Sequence, residues 1–448
     1  MLGFINKLYF LMGLFLYFGL ISKVDSEYML LYSFAIFSFF CYFGVLYINS
    51  NMDPKYYNTT FLTIETFIYI AIFVVLQNYI SYVYTGNFFV FSVSDAYFYH
   101  TQTAELVQMP LKDAINHYLS FMSFDDLGII LVLYPLYKIA PSNLMLNFVY
   151  IFAGTITALA IFDIAKNFIS RKYAFMASIA YSLSSFVLFY HASGLKESFM
   201  IMLVVLAVDF YYKFANEARI SYAIYSLLFL AAIFLFRPAI SVMIVAGIIF
   251  SSLFSKDGHI VVKIISVILF LVMLAMKNLL IAKMTEYTTG GIDTLISARE
   301  SQGMVLGGSL PFTYAVNFIS QAIGPLPTMV ASETKILTTL YSPGLLYKTL
   351  ISVPFWWGVY YIFVGKRSQI YPIILFIFFE MASLIFLMDG LELRKAMPHI
   401  PFVYIIAFWF LDKYDNRIIR IKKPQLFRYT FYVMIAFLSI LIIYWNFR

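Results

Sequence analysis

The chain has 448 residues, 62% of them apolar and only 12% charged, with a formal net charge of +7, against roughly 45–50% and 25% in an ordinary soluble domain. These figures exclude a soluble globular protein, a disordered chain and a disulfide-stapled secreted module, since the single Cys41 has no partner for an internal disulfide. The Lys and Arg residues are scattered between apolar runs and form no dense basic face, so the positive balance reads as membrane orientation signal and excludes nucleic acid as a partner.

The apolar content is enough for at most about fourteen helical crossings of roughly 20 residues each. Apolar runs of spanning character lie at 4–22, 28–48, 61–85, 143–163, 173–191, 197–212, 221–236, 239–254, 260–281, 344–364, 370–388, 397–411 and 429–446. The first is followed by Lys23, Asp25 and Glu27 and by no small-residue cleavage site, and is read as a retained helix. The stretch 127–140 is short, contains Pro135 and is closed by Pro141, which suits a re-entrant or surface helix. The expected fold is therefore an all-α polytopic membrane protein of about thirteen transmembrane helices plus re-entrant or surface helices. It forms one integral domain over 1–448, without an internal repeat or an inverted pair of broken helices.

Basic short loops set the orientation. Lys166, Arg171 and Lys172, then Lys213 and Arg219, Lys256 and Lys263, Lys366 and Arg367, and the cluster from Lys413 to Arg428 are expected inside. Alternation through thirteen spans places Lys7 and Lys55 inside as well. The same alternation places four regions outside: a first loop over 86–126, the step 191–196, a long loop over 282–343 and the turn 389–395.

Polar groups that interrupt apolar sequence cost a few kcal/mol each when they face lipid, so in a charge-poor chain their positions carry information. In the first outer loop, Asp95 opens a segment in which Tyr99 and His100 follow about one turn later. Ser94 or Asp95 makes a good helix cap; the functional alternative is a carboxylate that takes a proton from a hydroxyl nucleophile. His191 to Ser198 form a polar step with Gly194 as its turn, in which Lys196 is a candidate phosphate ligand, against a lysine that merely snorkels. Arg237 precedes Pro238 where a helix starts, so charge and free backbone N–H groups meet there. Arg394 and Lys395 sit in a short turn before the Pro398–Pro401 helix start and add positive charge. In the long loop, Gly290, Gly291, Gly303, Gly307 and Gly308 read as hinges between amphipathic surface helices that form a lid over a cavity, and Arg299 and Glu300 are further candidate contacts. Neither a cysteine or histidine zinc pattern nor a nucleotide loop occurs, so no metal and no cofactor are expected.

Four short motifs then carry a resemblance: Asp95-Ala96 with Tyr99-His100, Ser193 to Ser198, Phe236-Arg237-Pro238, and Arg394 to Pro401. In their order and layout the chain resembles the bacterial oligosaccharide repeat-unit polymerases, the O-antigen and capsule polymerases of the Wzy type, which are similar in architecture to GT-C glycosyltransferases. The resemblance implies a glycosyltransferase in the bacterial inner membrane that moves a growing glycan from undecaprenyl diphosphate to a new lipid-linked repeat unit. Its implied partners are the undecaprenyl-diphosphate-linked oligosaccharide and membrane lipid, with a chain-length regulator and a flippase beside them. Carried over, Asp95 is the base or acceptor-positioning group with Glu197 in reserve, and Lys196, Arg237 and Arg394 hold the leaving diphosphate; Tyr99, His100, Arg299 and Lys395 complete the candidate substrate-binding residues. The segment after Arg299 departs from the paired Arg-rich loops of some such polymerases. Two other readings compete: a GT-C enzyme that adds one sugar from a polyprenyl phosphate, and a transporter of lipid-linked sugar, which would hold its charges near the bilayer midplane.

Overall fold

The computed structural model describes residues 1–88, 95–121, 124–254, 309–330, 336–387, 391–419 and 424–447, together with Ile264 and Val267. Every regular element among them is helical. In chain order these are α1 (Leu2–Leu20), α2 (Met29–Ser50), α3 (Thr59–Thr85), α4 (Asp95–Leu106), α5 (Leu111–Phe121), α6 (Leu127–Tyr137) and α7 (Asn143–Ala165). Then come α8 (Arg171–Ser182), α9 (Ser185–Ala192), α10 (Glu197–Glu217), α11 (Ile220–Phe234) and α12 (Pro238–Phe254). The last are α13 (Leu310–Ile323), α14 (Ile336–Val364), α15 (Tyr371–Phe386), α16 (Leu393–Ala396), α17 (Ile400–Asp415) and α18 (Pro424–Phe447).

Among the described residues, seven helices are long and apolar enough to cross a membrane, and an eighth crossing arises if one bent pair counts as a span. The chain is thus a multi-pass membrane protein. Twelve of the thirteen expected runs fall on described helices, and the run 260–281, apart from Ile264 and Val267, lies outside the described residues. Several of the twelve are short: α11 has 15 residues and α17 has 16. The stretch at α6 is shorter still, 11 residues with Pro135 inside, too short for a full crossing.

One expectation is corrected. The run 173–191 is not one helix but two, α8 and α9, bent by 54° at Leu183–Ser184. A break inside a hydrophobic protein frees backbone groups that water does not reach, so neighbours must satisfy them. The Tyr42 hydroxyl donates to the Ala180 carbonyl and the Ser184 hydroxyl to the Tyr181 carbonyl at 2.7 Å, while Ser185 docks the break onto α14, its hydroxyl donating to the Tyr341 carbonyl at 3.0 Å and accepting from the Gly344 N–H at 2.9 Å. A side chain at Gly344 would put its Cβ 2.8 Å from the Ser185 nitrogen, so only glycine lets α14 come this close to the break.

Burial sorts the helices into an inner and an outer set. In α17 every residue from Ile400 to Asp412 is buried, and α8 and α9 are enclosed as fully. α14 packs against α17, α2 and α9, and α17 also against α8. By contrast α3 and α18 each bury 28% of their most apolar window and turn the rest outward. α13 is arranged the same way: Phe312, Phe318 and Ile319 are exposed while Thr313, Asn317, Ser320 and Gln321 are buried. That inversion of the soluble pattern is what an apolar surrounding selects.

The helix ends form two polar layers. At one end Ser170 donates to Asp412 at 2.6 Å and Tyr173 to Asp415 at 2.6 Å, near the basic loop of Arg171 and Lys172. At the other end lie the starts of α4, α6, α10 and α12 and the short α16, and there the candidate residues meet.

Candidate active site

Asp95 is the first residue of α4. A carboxylate in a first turn is favoured by the helix dipole, and Ser94, the other capping candidate, lies outside the described residues. The Asp95 side chain reaches away from its own helix: its Oδ2 accepts from Arg394 Nη1 at 2.6 Å. One turn on, the Tyr99 hydroxyl donates to Asp126 Oδ1 at 3.0 Å. Burial first, and then the charge on Asp126, pushes the pKa of that hydroxyl well above its ordinary value, so Tyr99 stays a donor.

The polar step before α10 turns on Gly194, whose φ is +74°, and Tyr150 fixes the turn by donating to the Gly194 carbonyl at 2.8 Å. Lys196 then points its ammonium at the Asp126 carboxylate and at the Phe236 carbonyl, the latter at 3.1 Å. It therefore ties three segments together. The residues around Asp126 are also held to the α11–α12 junction directly, by the Gly128 N–H on the Leu235 carbonyl at 2.9 Å. Gly128 is required there because a Cβ would sit 2.4 Å from the Phe236 ring.

Glu197, completely buried at the start of α10, is the centre of the positive cluster. Its Oε1 accepts from Arg394 Nε at 2.6 Å and lies 3.5 Å from Arg237 Nη2, while its Oε2 is buried without a hydrogen-bond partner. Arg394 so bridges two carboxylates. Burial alone would favour losing its proton, but Glu197 and Asp95 outweigh that and hold it charged more firmly than usual. Lys395 pairs with Glu392 at 3.0 Å.

These groups surround a cavity of about 400 Å³, lined by Asp95, Phe98, Tyr99, Asp126, Lys196, Arg237, Glu392, Arg394 and Lys395, a size in the range of small-molecule sites. Four cations line it against the three carboxylates Asp95, Asp126 and Glu392, with Glu197 directly behind. An anion that enters therefore meets cations that already have partners.

Of the residues expected from sequence, Asp95, Tyr99, Lys196, Arg237, Arg394 and Lys395 line the cavity, and Glu197 supports it from beneath. His100 is not among the lining residues; its Nδ1 is 2.7 Å from the Tyr137 hydroxyl on α6, and burial keeps the ring neutral by lowering its pKa. Arg299 lies outside the described residues. Asp126, Glu392 and Phe98 were missed. Asp126 had a readable signal, because 123–126 is another short polar step ahead of an apolar run, like the one before α10. Deeper, Glu380 on α15 and His399 before α17 lie 3.4 Å apart and are almost wholly buried.

The Lys196–Asp126 contact predicts a measurable coupling. Lys196→Met leaves Asp126 and Tyr99 without their cation and lowers the unfolding temperature of the purified protein. Adding Asp126→Asn restores part of it, with a coupling of about 1–3 kcal/mol expected for a contacting pair. Additive losses in the double variant would show that the two side chains act separately.

The family described as dolichyl-phosphate-mannose-protein mannosyltransferase matches residues 136–281, about a third of the chain. That stretch contains Lys196, Glu197 and Arg237. No curated protein matches the chain. The family match and the all-helical multi-pass architecture bear out the expected enzyme class, a membrane glycosyltransferase of the GT-C type.

Proposed function

We propose that the chain polymerises lipid-linked oligosaccharide repeat units, transferring a glycan from undecaprenyl diphosphate to a hydroxyl of the next lipid-linked unit on the outer face of a bacterial inner membrane. The observation that carries this reading is that Asp95, Lys196, Arg237 and Arg394, distant in sequence, line one cavity at the helix ends. In the reaction the acceptor oxygen attacks the anomeric carbon and its proton passes to Asp95. The bond from that carbon to the phosphate oxygen breaks, and the electron pair leaves with the diphosphate. Charge develops on phosphate oxygens, where fixed cations lower the barrier most. Arg237 and Arg394 supply planar donors suited to phosphate, Lys395 adds charge at the rim, and Lys196 keeps the junction that presents Arg237 in place. A chain-length regulator and a flippase are the partners that such a reaction calls for.

A second reading is favoured by the family match over 136–281: the same cavity adds one sugar from a polyprenyl monophosphate. The carrier chemistry is shared, and the products differ. The test is a gel of surface glycan from a strain that lacks the protein, complemented with wild type or with Arg237→Ala. A single-repeat band without the protein and a ladder with wild type are expected. Absence of any complete repeat unit without the protein would overturn polymerisation in favour of the one-sugar reading. A full ladder from Arg237→Ala would overturn the assignment of Arg237.

A further inference from the structure

The charges that line the cavity are paired with one another. Arg394 holds Asp95 through Nη1 and Glu197 through Nε, both at 2.6 Å. The two carboxylates differ in what surrounds them: the Asp95 side chain is 41% exposed and that of Glu197 is 0% exposed. An exposed carboxylate that gives up a guanidinium is resolvated by water, whereas a buried one that does so is left as an uncompensated charge. An incoming phosphate therefore displaces Asp95 and leaves Glu197 in place.

We propose that Glu197 is a positioning residue that anchors Arg394 through Nε while its Nη groups are exchanged from Asp95 to the carrier phosphate, so that donor binding is what releases the base. This rests on the proposed function and adds an order of events to it. Before the donor arrives, one Asp95 oxygen is occupied by Arg394. Afterwards both oxygens face the acceptor. Glu197 has the capacity to serve as the pivot for both guanidiniums, because its unpartnered Oε2 lies on the carboxylate that Arg237 already approaches to 3.5 Å. By linkage, whatever favours the exchanged state also favours acceptor binding, so donor and acceptor tighten each other.

The exchange has a consequence opposite to that of an ordinary binding residue: removing the base strengthens donor binding. The experiment measures affinity of the purified full-length protein in nanodiscs for undecaprenyl diphosphate and for undecaprenyl phosphate, neither of which carries a glycan to transfer. Asp95→Asn is expected to bind the preferred carrier about five- to tenfold more tightly than wild type, since one charge-assisted hydrogen bond no longer has to be given up. In an Arg394→Lys background, where a single ammonium replaces the fork, the same substitution is expected to change affinity less than twofold. Melting curves establish that each variant is folded. Affinity unchanged or weakened in Asp95→Asn overturns the exchange and leaves the proposed function standing. Tightening that persists in the Arg394→Lys background also overturns it, because loss of any nearby negative charge would then account for the gain. If wild type binds neither carrier, the proposed function fails and the exchange with it.

Discussion

Replacement of Asp95 by Asn is expected to reduce glycosyl transfer by about 10²- to 10⁴-fold, the usual contribution of a positioned general base, while the protein remains inserted and folded. The reasoning is that Asn keeps the size of the side chain and an oxygen for Arg394 but has no site for the acceptor's proton. Stability should change by no more than about 1 kcal/mol, because the Asp95–Arg394 pair is partly open to water and such pairs contribute little. Turnover of a lipid-linked donor by purified variants, read beside their melting curves, checks both parts. A variant that keeps more than a tenth of wild-type activity would show that the proton goes elsewhere.

Replacement of Glu197 by Ala should damage the protein itself. Glu197 is the fully buried partner of Arg394, with Arg237 alongside; its removal leaves two guanidiniums, 24% and 23% exposed, without their shared counter-charge and opens a hole beneath them. Breaking one side of a fully buried pair costs about 3–5 kcal/mol; because the guanidiniums left behind reach the cavity, a loss at the lower end of that range is expected, seen as a clear drop in unfolding temperature. Glu197→Gln keeps the shape and an acceptor for Arg394 Nε, and should lie between wild type and Ala. The contrast with Asp95 is the informative part. Two carboxylates on the same guanidinium differ in burial, so one substitution strikes chemistry and the other strikes the fold. If Glu197→Ala melts like wild type, Glu197 does not anchor the cluster and its assignment as a pivot is lost.

Glu380 and His399 are as buried as Glu197 yet do not line the cavity. Burial of a titratable group therefore does not identify the site here; the convergence of several helix ends does.

Much of the architecture was legible in the residues because the free energy of placing a side chain in lipid is nearly additive along the chain. The apolar runs at α1, α2, α3, α7, α10, α15 and α18, the short stretch at α6 and the interruptions at Asp95, Lys196, Arg237 and Arg394 are all local properties, and the helices follow them closely. Three things were not local. The break between α8 and α9 depends on residues far along the chain: Tyr42 meets the freed Ala180 carbonyl, and Ser185 joins the backbone of α14 at Tyr341 and Gly344, about 160 positions away. The short α17 forms because it is enclosed by other helices and not by lipid, so it has no bilayer thickness to match. Which charge meets which depends on packing alone: Arg394 reaches Asp95 across 299 positions and Lys196 reaches Asp126 across 70. A sequence marks where a membrane protein cannot remain in lipid, because that is decided residue by residue. Only the fold decides which of those marks become neighbours, since Coulomb interactions and hydrogen bonds act over a few ångströms in space whatever the distance along the chain.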